Sequence, residues 1–138
     1  MKLSKVQPTY VDGIPATLRP GYLYISRRYR TAAHLCACGC GARVATPLKP
    51  AKWLLEDKSG LVSLRPSISR PPEQCNSHYW IRDNRIVWCR PLSGKEAASA
   101  RARDQRDVQM YYTSRASAPW PVRLGRRLVS RFESFFRR

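Results

Sequence analysis

A run of closely spaced cysteines constrains this chain more than any other part of its sequence. Three of the five cysteines, Cys36, Cys38 and Cys40, fall within the segment His34–Gly41. A fourth cysteine, Cys75, opens a second segment that also holds one of the two histidines. In a cytoplasmic chain thiols stay reduced, and an odd cysteine count favours metal binding over a disulfide framework. We therefore expect the fold to bring the two segments together around a metal ion.

The spacing of the first segment predicts how the chain must bend there. Its histidine and three cysteines recur at every second position, so an extended strand would place them on one face. Side chains two residues apart on a strand are roughly 6.5 Å apart, whereas zinc binds each thiolate at about 2.3 Å. Gly39 and Gly41 permit the bend that this difference requires. The pattern predicts a strand that runs into a zinc knuckle.

The expected metal is zinc, because thiolate ligands select it and a structural site needs a closed tetrahedral shell. His34 or His78 could replace one thiolate, and buried free cysteines are the alternative to a metal site. Cys89, in a strand pattern beside Trp88, is expected to pack in the core. The predicted ligand set is Cys36, Cys38, Cys40 and Cys75.

Residues 1–92 are predicted to form a β-rich metal-binding domain. Strand patterns occur at 22–26, 43–46, 53–55, 61–64, 78–82 and 85–89. Tight turns are indicated at Asp57–Gly60 and at Asp83–Asn84, where residues that tolerate a left-handed backbone separate two strand patterns. The expected fold class is mainly β (α+β), with one or two helices at the carboxyl end.

Residues 93–138 are predicted to form a basic helical tail. Ser93 and Glu96 have the spacing of a capping box, and a helix is expected from about Gly94 to Tyr112. A second, amphipathic helix is expected over 123–136. That helix either packs on the domain or docks on a partner or an anionic membrane.

The chain carries a formal charge of +17, spread along its length. Such charge attracts nucleic acid, anionic membranes or acidic proteins. Arginine far outnumbers lysine, which also fits a solubilising surface, and no recognised nucleic-acid-binding motif accompanies the charge. No targeting segment or membrane span is visible, so a cytoplasmic protein is expected.

Two sets of motifs resemble those of one bacterial family. The first is His-x-Cys-x-Cys-Gly-Cys-Gly at 34–41, and the second is Cys-x-Ser-His-Tyr-Trp-Ile at 75–81. Together with residues between them, over about 7–92, they resemble a small uncharacterised bacterial family. Its genes often lie beside genes for ubiquitin-like, E1-like and E2-like proteins. The resemblance implies a ubiquitin-like protein, or its E1-like or E2-like enzymes, as partner.

A second similarity bears on catalysis. The run Ser77–Arg82 is similar to the Ser-His-Gly-Cys-x-Arg signature of L,D-transpeptidases, but Trp80 replaces the cysteine nucleophile. A serine-based variant remains open, with Ser67 as nucleophile and His78 as its base. His34 would orient that base or polarise a carbonyl. Alternatively, Ser67 is a turn residue and His78 is a zinc ligand or a core histidine.

Three functions therefore compete at the level of sequence. The first is a serine-type, peptidase-like hydrolase, stabilised by zinc, that processes a ubiquitin-like protein or its conjugates. The second is a non-enzymatic zinc module that recruits a partner in a ubiquitin-like pathway. The third is a charge-driven protein associated with nucleic acid.

Overall fold

The computed structural model describes residues 1–117 of the chain. Within that range the chain forms eight β-strands in two four-stranded sheets, followed by one α-helix. The expected mainly β fold class is confirmed. The amphipathic helix expected over 123–136 lies outside the described residues. No helix within 1–117 is long and apolar enough to cross a membrane.

The first sheet leads directly into the cysteine segment. Its strand order is β1-β2-β3-β4, with β1 parallel to β2 and the other neighbours antiparallel. The sequence patterns missed β1, and β3 ends at Leu35, one residue before the first cysteine. The strand therefore gives way to an irregular segment, as expected for a knuckle. The bounds are β1 (Gln7–Tyr10), β2 (Tyr22–Ser26), β3 (Thr31–Leu35) and β4 (Arg43–Pro47).

The second sheet is an antiparallel meander in which two tight turns set the register. Ser59 and Gly60 have φ of 54° and 90°, and Asp83 and Asn84 have φ of 47° and 64°. Positive φ at both central residues is typical of the turns that best match the twist of paired strands. Both predicted turns are confirmed. The bounds are β5 (Leu54–Lys58), β6 (Leu61–Ser69), β7 (His78–Arg82) and β8 (Arg85–Trp88).

A single buried cluster takes side chains from both sheets. Leu23 and Ile25 come from β2, and Leu64, Tyr79 and Ile81 come from β6 and β7. Burial of each such side chain contributes roughly 1.5–3 kcal/mol to folding. Because side chains alternate along a strand, the other face of β7 points away from this core. That outer face carries His78, Trp80 and Arg82.

Strand β6 is irregular where it passes the middle of β7. Leu64 pairs with Ile81 and Ile68 pairs with Tyr79, so the three residues at 65–67 face the single residue Trp80. A bulge of this kind bends the strand and re-aims its side chains. Ser67 was expected in a turn after a strand. It lies instead within β6, at the end of this bulge.

The helix α1 spans Gly94–Ala116. It begins with the predicted capping box, in which Ser93 and Glu96 satisfy each other's backbone N–H groups. It continues four residues beyond the predicted end at Tyr112. A 2.6 Å ion pair between Lys52 and Asp104 connects the helix to the β-rich part of the chain.

Candidate active site and metal centre

The four cysteines predicted as metal ligands come together in the fold. The sulfur atoms of Cys36, Cys38, Cys40 and Cys75 all lie within 4.8 Å of one another. Four thiolates arranged tetrahedrally at about 2.3 Å from zinc are about 3.8 Å apart. The Cys36 and Cys75 sulfurs are 3.8 Å apart. The cluster therefore has the size and the donor chemistry that suit a thiolate-binding metal ion.

Two glycines shape the segment that carries three of these cysteines. Gly39 and Gly41 have φ of +86° and +77°, a backbone conformation that L side chains rarely adopt. The Gly39 N–H donates to the carbonyl of Cys36 at 3.0 Å, which closes a tight turn. A Cβ atom on Gly39 would also lie 2.8 Å from the backbone of Met1. The predicted bend at the glycines is therefore present in the fold.

The thiols of the cluster do not ionise alike. Burial and the neighbouring cysteines raise the pKa of Cys38 to about 12. Burial also opposes ionisation of Cys75, but hydrogen bonds from Ser77 and from neighbouring thiols outweigh it and lower its pKa to about 7. One thiolate therefore forms readily, and further thiolates so close to it need a cation to offset their repulsion.

Neither histidine belongs to this cluster. Within residues 1–117 the group of clustered ligand atoms contains cysteines alone. His34 is buried, and its Nε2 lies 2.9 Å from the hydroxyl of Tyr79. His78 has both ring nitrogens engaged elsewhere. The alternative in which a histidine replaces one thiolate therefore has no support in the geometry.

Ser67 and His78 form a hydrogen-bonded pair on the outer face of the second sheet. The Ser67 Oγ lies 2.9 Å from His78 Nε2, and the His78 Nδ1 lies 2.9 Å from the carbonyl oxygen of Arg90. A carbonyl can only accept a hydrogen bond, so the neutral imidazole must carry its proton on Nδ1. The Nε2 atom is then the acceptor for the Ser67 hydroxyl. This is the tautomer that a general base for serine requires.

Strand pairing places the Arg90 carbonyl beside the imidazole. The Cys89 N–H donates to the His78 carbonyl at 2.9 Å, which extends the β7–β8 pairing by one residue. Cys89 lies one residue beyond the end of β8 and is half-buried. It is not part of the buried core, where it was expected. The extension brings the next residue, Arg90, to the edge of His78.

The start of α1 supports the same segment. The Arg90 guanidinium donates to the Glu96 carboxylate at 3.0 Å, and Glu96 also accepts from the Ser93 N–H at 2.8 Å. The guanidinium and the Ser93 amide together lower the pKa of Glu96 to about 2. The first turn of the helix is therefore bonded to the residue whose carbonyl holds His78.

His34, expected to orient the base or to polarise a carbonyl, makes no hydrogen bond to His78 among the described residues. Both ring nitrogens of His78 have other partners, and His34 is buried in β3 of the first sheet. Burial lowers the pKa of His34 to about 4, so its imidazole is neutral near pH 7. The orienting group is the Arg90 carbonyl, which sequence analysis missed. A backbone carbonyl is common to all residues, so only the register of β7 and β8 could have revealed it.

The two sites meet at the beginning of β7. The Ser77 Oγ lies 3.2 Å from the sulfurs of both Cys36 and Cys75, and the next residue, His78, bonds to Ser67. Successive side chains of a strand point to opposite faces. One short segment therefore contacts the cysteine cluster on its inner side and carries the imidazole on its outer side.

Comparison with known proteins yields one family. The family model described as "BubE: Bacterial ubiquitination-like system serine protease" matches residues 10–89. The matched range covers more than half of the chain and contains the four clustered cysteines, Ser67 and His78. No curated protein and no solved structure matches the chain.

Proposed function

The chain belongs to the BubE family of bacterial ubiquitination-like system serine proteases, and from this premise we propose that it hydrolyses a bond in a ubiquitin-like protein or its conjugates. Ser67 is the nucleophile and His78 is the general base. The observation that carries the proposal is the 2.9 Å contact between Ser67 Oγ and His78 Nε2, together with the Nδ1 contact to a carbonyl that fixes the tautomer. Both residues are half-buried and lie on the outer face of the second sheet.

The chemistry follows from these contacts in two steps. The Ser67 Oγ attacks the substrate carbonyl carbon while His78 Nε2 accepts the hydroxyl proton. As the tetrahedral intermediate collapses, the imidazolium returns this proton to the leaving group, and an acyl ester on Ser67 remains. Water then attacks the ester with His78 again as base, which releases a carboxylic acid and restores the serine. The Arg90 carbonyl accepts a hydrogen bond from the His78 Nδ1–H throughout, and that proton stays on the ring.

The carbonyl partner has a chemical consequence. A carboxylate in this position would add a full negative charge that stabilises the imidazolium. A carbonyl supplies only a dipole, so it fixes the ring and its tautomer with less electrostatic stabilisation. The proposed hydrolase therefore depends on the positioning of His78. The contacts that hold β7, its pairing with β8 and the Arg90 carbonyl, should affect the rate.

The cysteine cluster has a structural role in this proposal, with zinc as the metal. Four thiolates would complete a tetrahedral shell, which leaves no open position for water or substrate. Zinc bound there would hold Cys75, at the end of the segment between β6 and β7, against the knuckle that follows β3. His78 lies three residues after Cys75, so the metal supports the strand that presents the base.

A second candidate function is partner recruitment without catalysis in a ubiquitin-like pathway. The cysteine cluster is compatible with this function, because a closed structural metal site stabilises a binding module as well as an enzyme. The two functions differ in their dependence on Ser67, because recruitment needs no nucleophile. For nucleic-acid binding, the positive net charge is the one supporting observation.

Cleavage of a ubiquitin-like substrate separates these functions. A ubiquitin-like protein extended at its carboxyl end, and a conjugate of the mature protein, are incubated with each variant and followed by mass spectrometry. We expect cleavage by the unaltered chain, with a loss of at least about a hundredfold in Ser67→Ala and His78→Ala. Ser69→Ala is the matched control, because Ser69 pairs with His78 in the sheet without bonding to its ring. Cleavage retained in metal-bound Ser67→Ala would contradict the hydrolase.

A further inference from the structure

A groove runs along the outer face of the second sheet, next to the Ser67–His78 pair. Its volume is about 260 Å³, and Arg65, Trp80 and Arg82 contribute to its lining. Trp80 faces the bulge that ends at Ser67, and His78 precedes Trp80 on the same face of β7. The groove is lined by Trp80 and by Arg82, farther along β7 from His78, and the Ser67–His78 pair lies outside its lining.

The feature that gives this groove a preference is a stacked arginine. The Arg82 guanidinium lies over the indole of Trp80, 4.7 Å from the ring centroid. Arg82 forms no ion pair within the described part of the chain. A guanidinium held over an aromatic ring loses little conformational freedom when its planar donor edge binds a carboxylate.

The acidic residues of the groove are already engaged. Glu56 lies 3.6 Å from the guanidinium of Arg65. Asp83 accepts a hydrogen bond from the Ser63 hydroxyl at 3.3 Å and donates its N–H to the same hydroxyl at 2.9 Å. Among the described residues, the Arg82 guanidinium therefore lies over Trp80 without an acidic partner.

We propose that the Trp80–Arg82 pair binds a carboxylate of the substrate, an aspartate or glutamate side chain near the scissile bond. The inference rests on the proposed hydrolase for its role in specificity, but the binding of the carboxylate does not depend on catalysis. The Arg82 guanidinium lies over Trp80, and Trp80 is one same-face step, about 6.6 Å, from His78 along β7. The acidic residue of the substrate therefore falls within about three positions of the cleaved bond. Arg82 and Trp80 are specificity residues, since neither takes part in proton transfer.

Two measurements test this subsite separately from the chemistry. The first follows the indole N–H resonance of Trp80, assigned with Trp80→Phe, during titration with N-acetyl-aspartate amide or N-acetyl-asparagine amide. We expect a saturable shift with the aspartate compound alone, lost in Arg82→Gln. Arg28→Gln is the matched control, because the Arg28 guanidinium also lies over an aromatic ring, that of Tyr29 at 5.3 Å, but in the turn between β2 and β3. Equal shifts with both compounds would overturn the proposal.

The second measurement uses internally quenched hexapeptides in which one position at a time is fixed as Asp, Glu, Asn, Gln or Lys. We expect the acidic peptides to be preferred at one position, and Arg82→Gln to lower kcat/KM for them by about tenfold or more. The neutral peptides should keep their rates in that variant. Cleavage without acidic preference overturns the subsite and leaves the hydrolase standing. Absence of all cleavage, with the Trp80 shift intact, counts against the hydrolase alone.

Discussion

The cysteine cluster and the Ser67–His78 pair lie on either side of the same strand, but they are built in different ways. Three of the four clustered sulfurs come from one short segment bent by two glycines, and Cys36 is buried in the core. The Ser67–His78 pair instead joins two strands across a bulge, and its imidazole contacts a carbonyl from a third segment. It lies on the outer face of the second sheet.

This difference indicates separate roles for the two sites, one in folding stability and one in the proposed chemistry. A closed, partly buried metal site contributes folding free energy, because the ligands come together only in the folded state. In the proposed hydrolase, the Ser67 hydroxyl and the His78 imidazole provide the chemistry and contribute little to stability. Lesions at the cluster should therefore lower stability first, and lesions at the pair should lower reactivity alone.

The largest expected effect comes from removing a metal ligand. Cys38→Ser and Cys75→Ser should lose the single zinc ion expected per chain, and with it several kcal/mol of stability, since structural zinc sites in small peptides bind with about 10–16 kcal/mol. Elemental analysis and thermal unfolding with and without chelator measure both quantities. Cys89→Ser is the control, because Cys89 lies outside the cluster. Freshly prepared, reduced protein without metal would contradict the proposed metal site at the four cysteines.

A smaller effect should follow from altering the buried bond between the sheets. Tyr79→Phe removes the hydroxyl that lies 2.9 Å from His34 Nε2 and leaves a buried nitrogen without a partner. Such a loss costs about 1–3 kcal/mol, which denaturant unfolding would detect. Reactivity of Ser67 should stay near that of the unaltered chain. A large fall in reactivity at constant zinc content would show that the core and the catalytic pair are more tightly coupled than proposed.

A smaller change again should follow from removing α1. A chain of residues 1–92 should fold and bind zinc, since both motifs precede Ser93. It lacks Glu96, so the Arg90 segment loses its exposed ion pair, and reactivity of Ser67 should fall roughly two- to fivefold. Zinc content and labelling rate, compared with a chain of residues 1–117, measure these effects. An insoluble or unfolded 1–92 chain would place the helix within the domain.

The smallest effect concerns pH. The pKa of Glu96 is lowered to about 2 by Arg90 and Ser93, so its contribution to the helix start is complete above the usual carboxyl range. It is lost as pH falls toward about 2, because the unfolded chain then binds the proton more readily. Circular dichroism between pH 5 and pH 2 should show this loss in the unaltered chain and less of it in Glu96→Gln. Identical profiles would contradict the assigned contact.

The sequence allowed prediction of features that depend on local chemistry. The bounds of β2, the turns at Ser59–Gly60 and Asp83–Asn84, and the helix start follow from turn, capping and strand preferences. The cysteine spacing with its two glycines predicted the clustering. Apart from the approach of Cys75 to the other cysteines, these features are set by residues close together in the chain.

Features that depend on register could not be predicted in the same way. The parallel pairing of β1 with β2, the bulge opposite Trp80 and the contact of Arg90 with His78 each join distant segments. The burial of His34 likewise depends on how the two sheets pack, so its separation from His78 could not be predicted from the sequence. The hydroxyl and the imidazole were identified by residue type, and the fold supplied the group that orients them.

The most direct test of the central claim is the site of reaction with a serine-directed fluorophosphonate. We expect one adduct, on Ser67, located by peptide mass spectrometry. His78→Ala should abolish the adduct while zinc stays bound. Ser69→Ala should leave it unchanged. An adduct on another serine, an adduct that persists in His78→Ala, or release of zinc by that substitution would contradict the assignment of Ser67 and His78 as nucleophile and base.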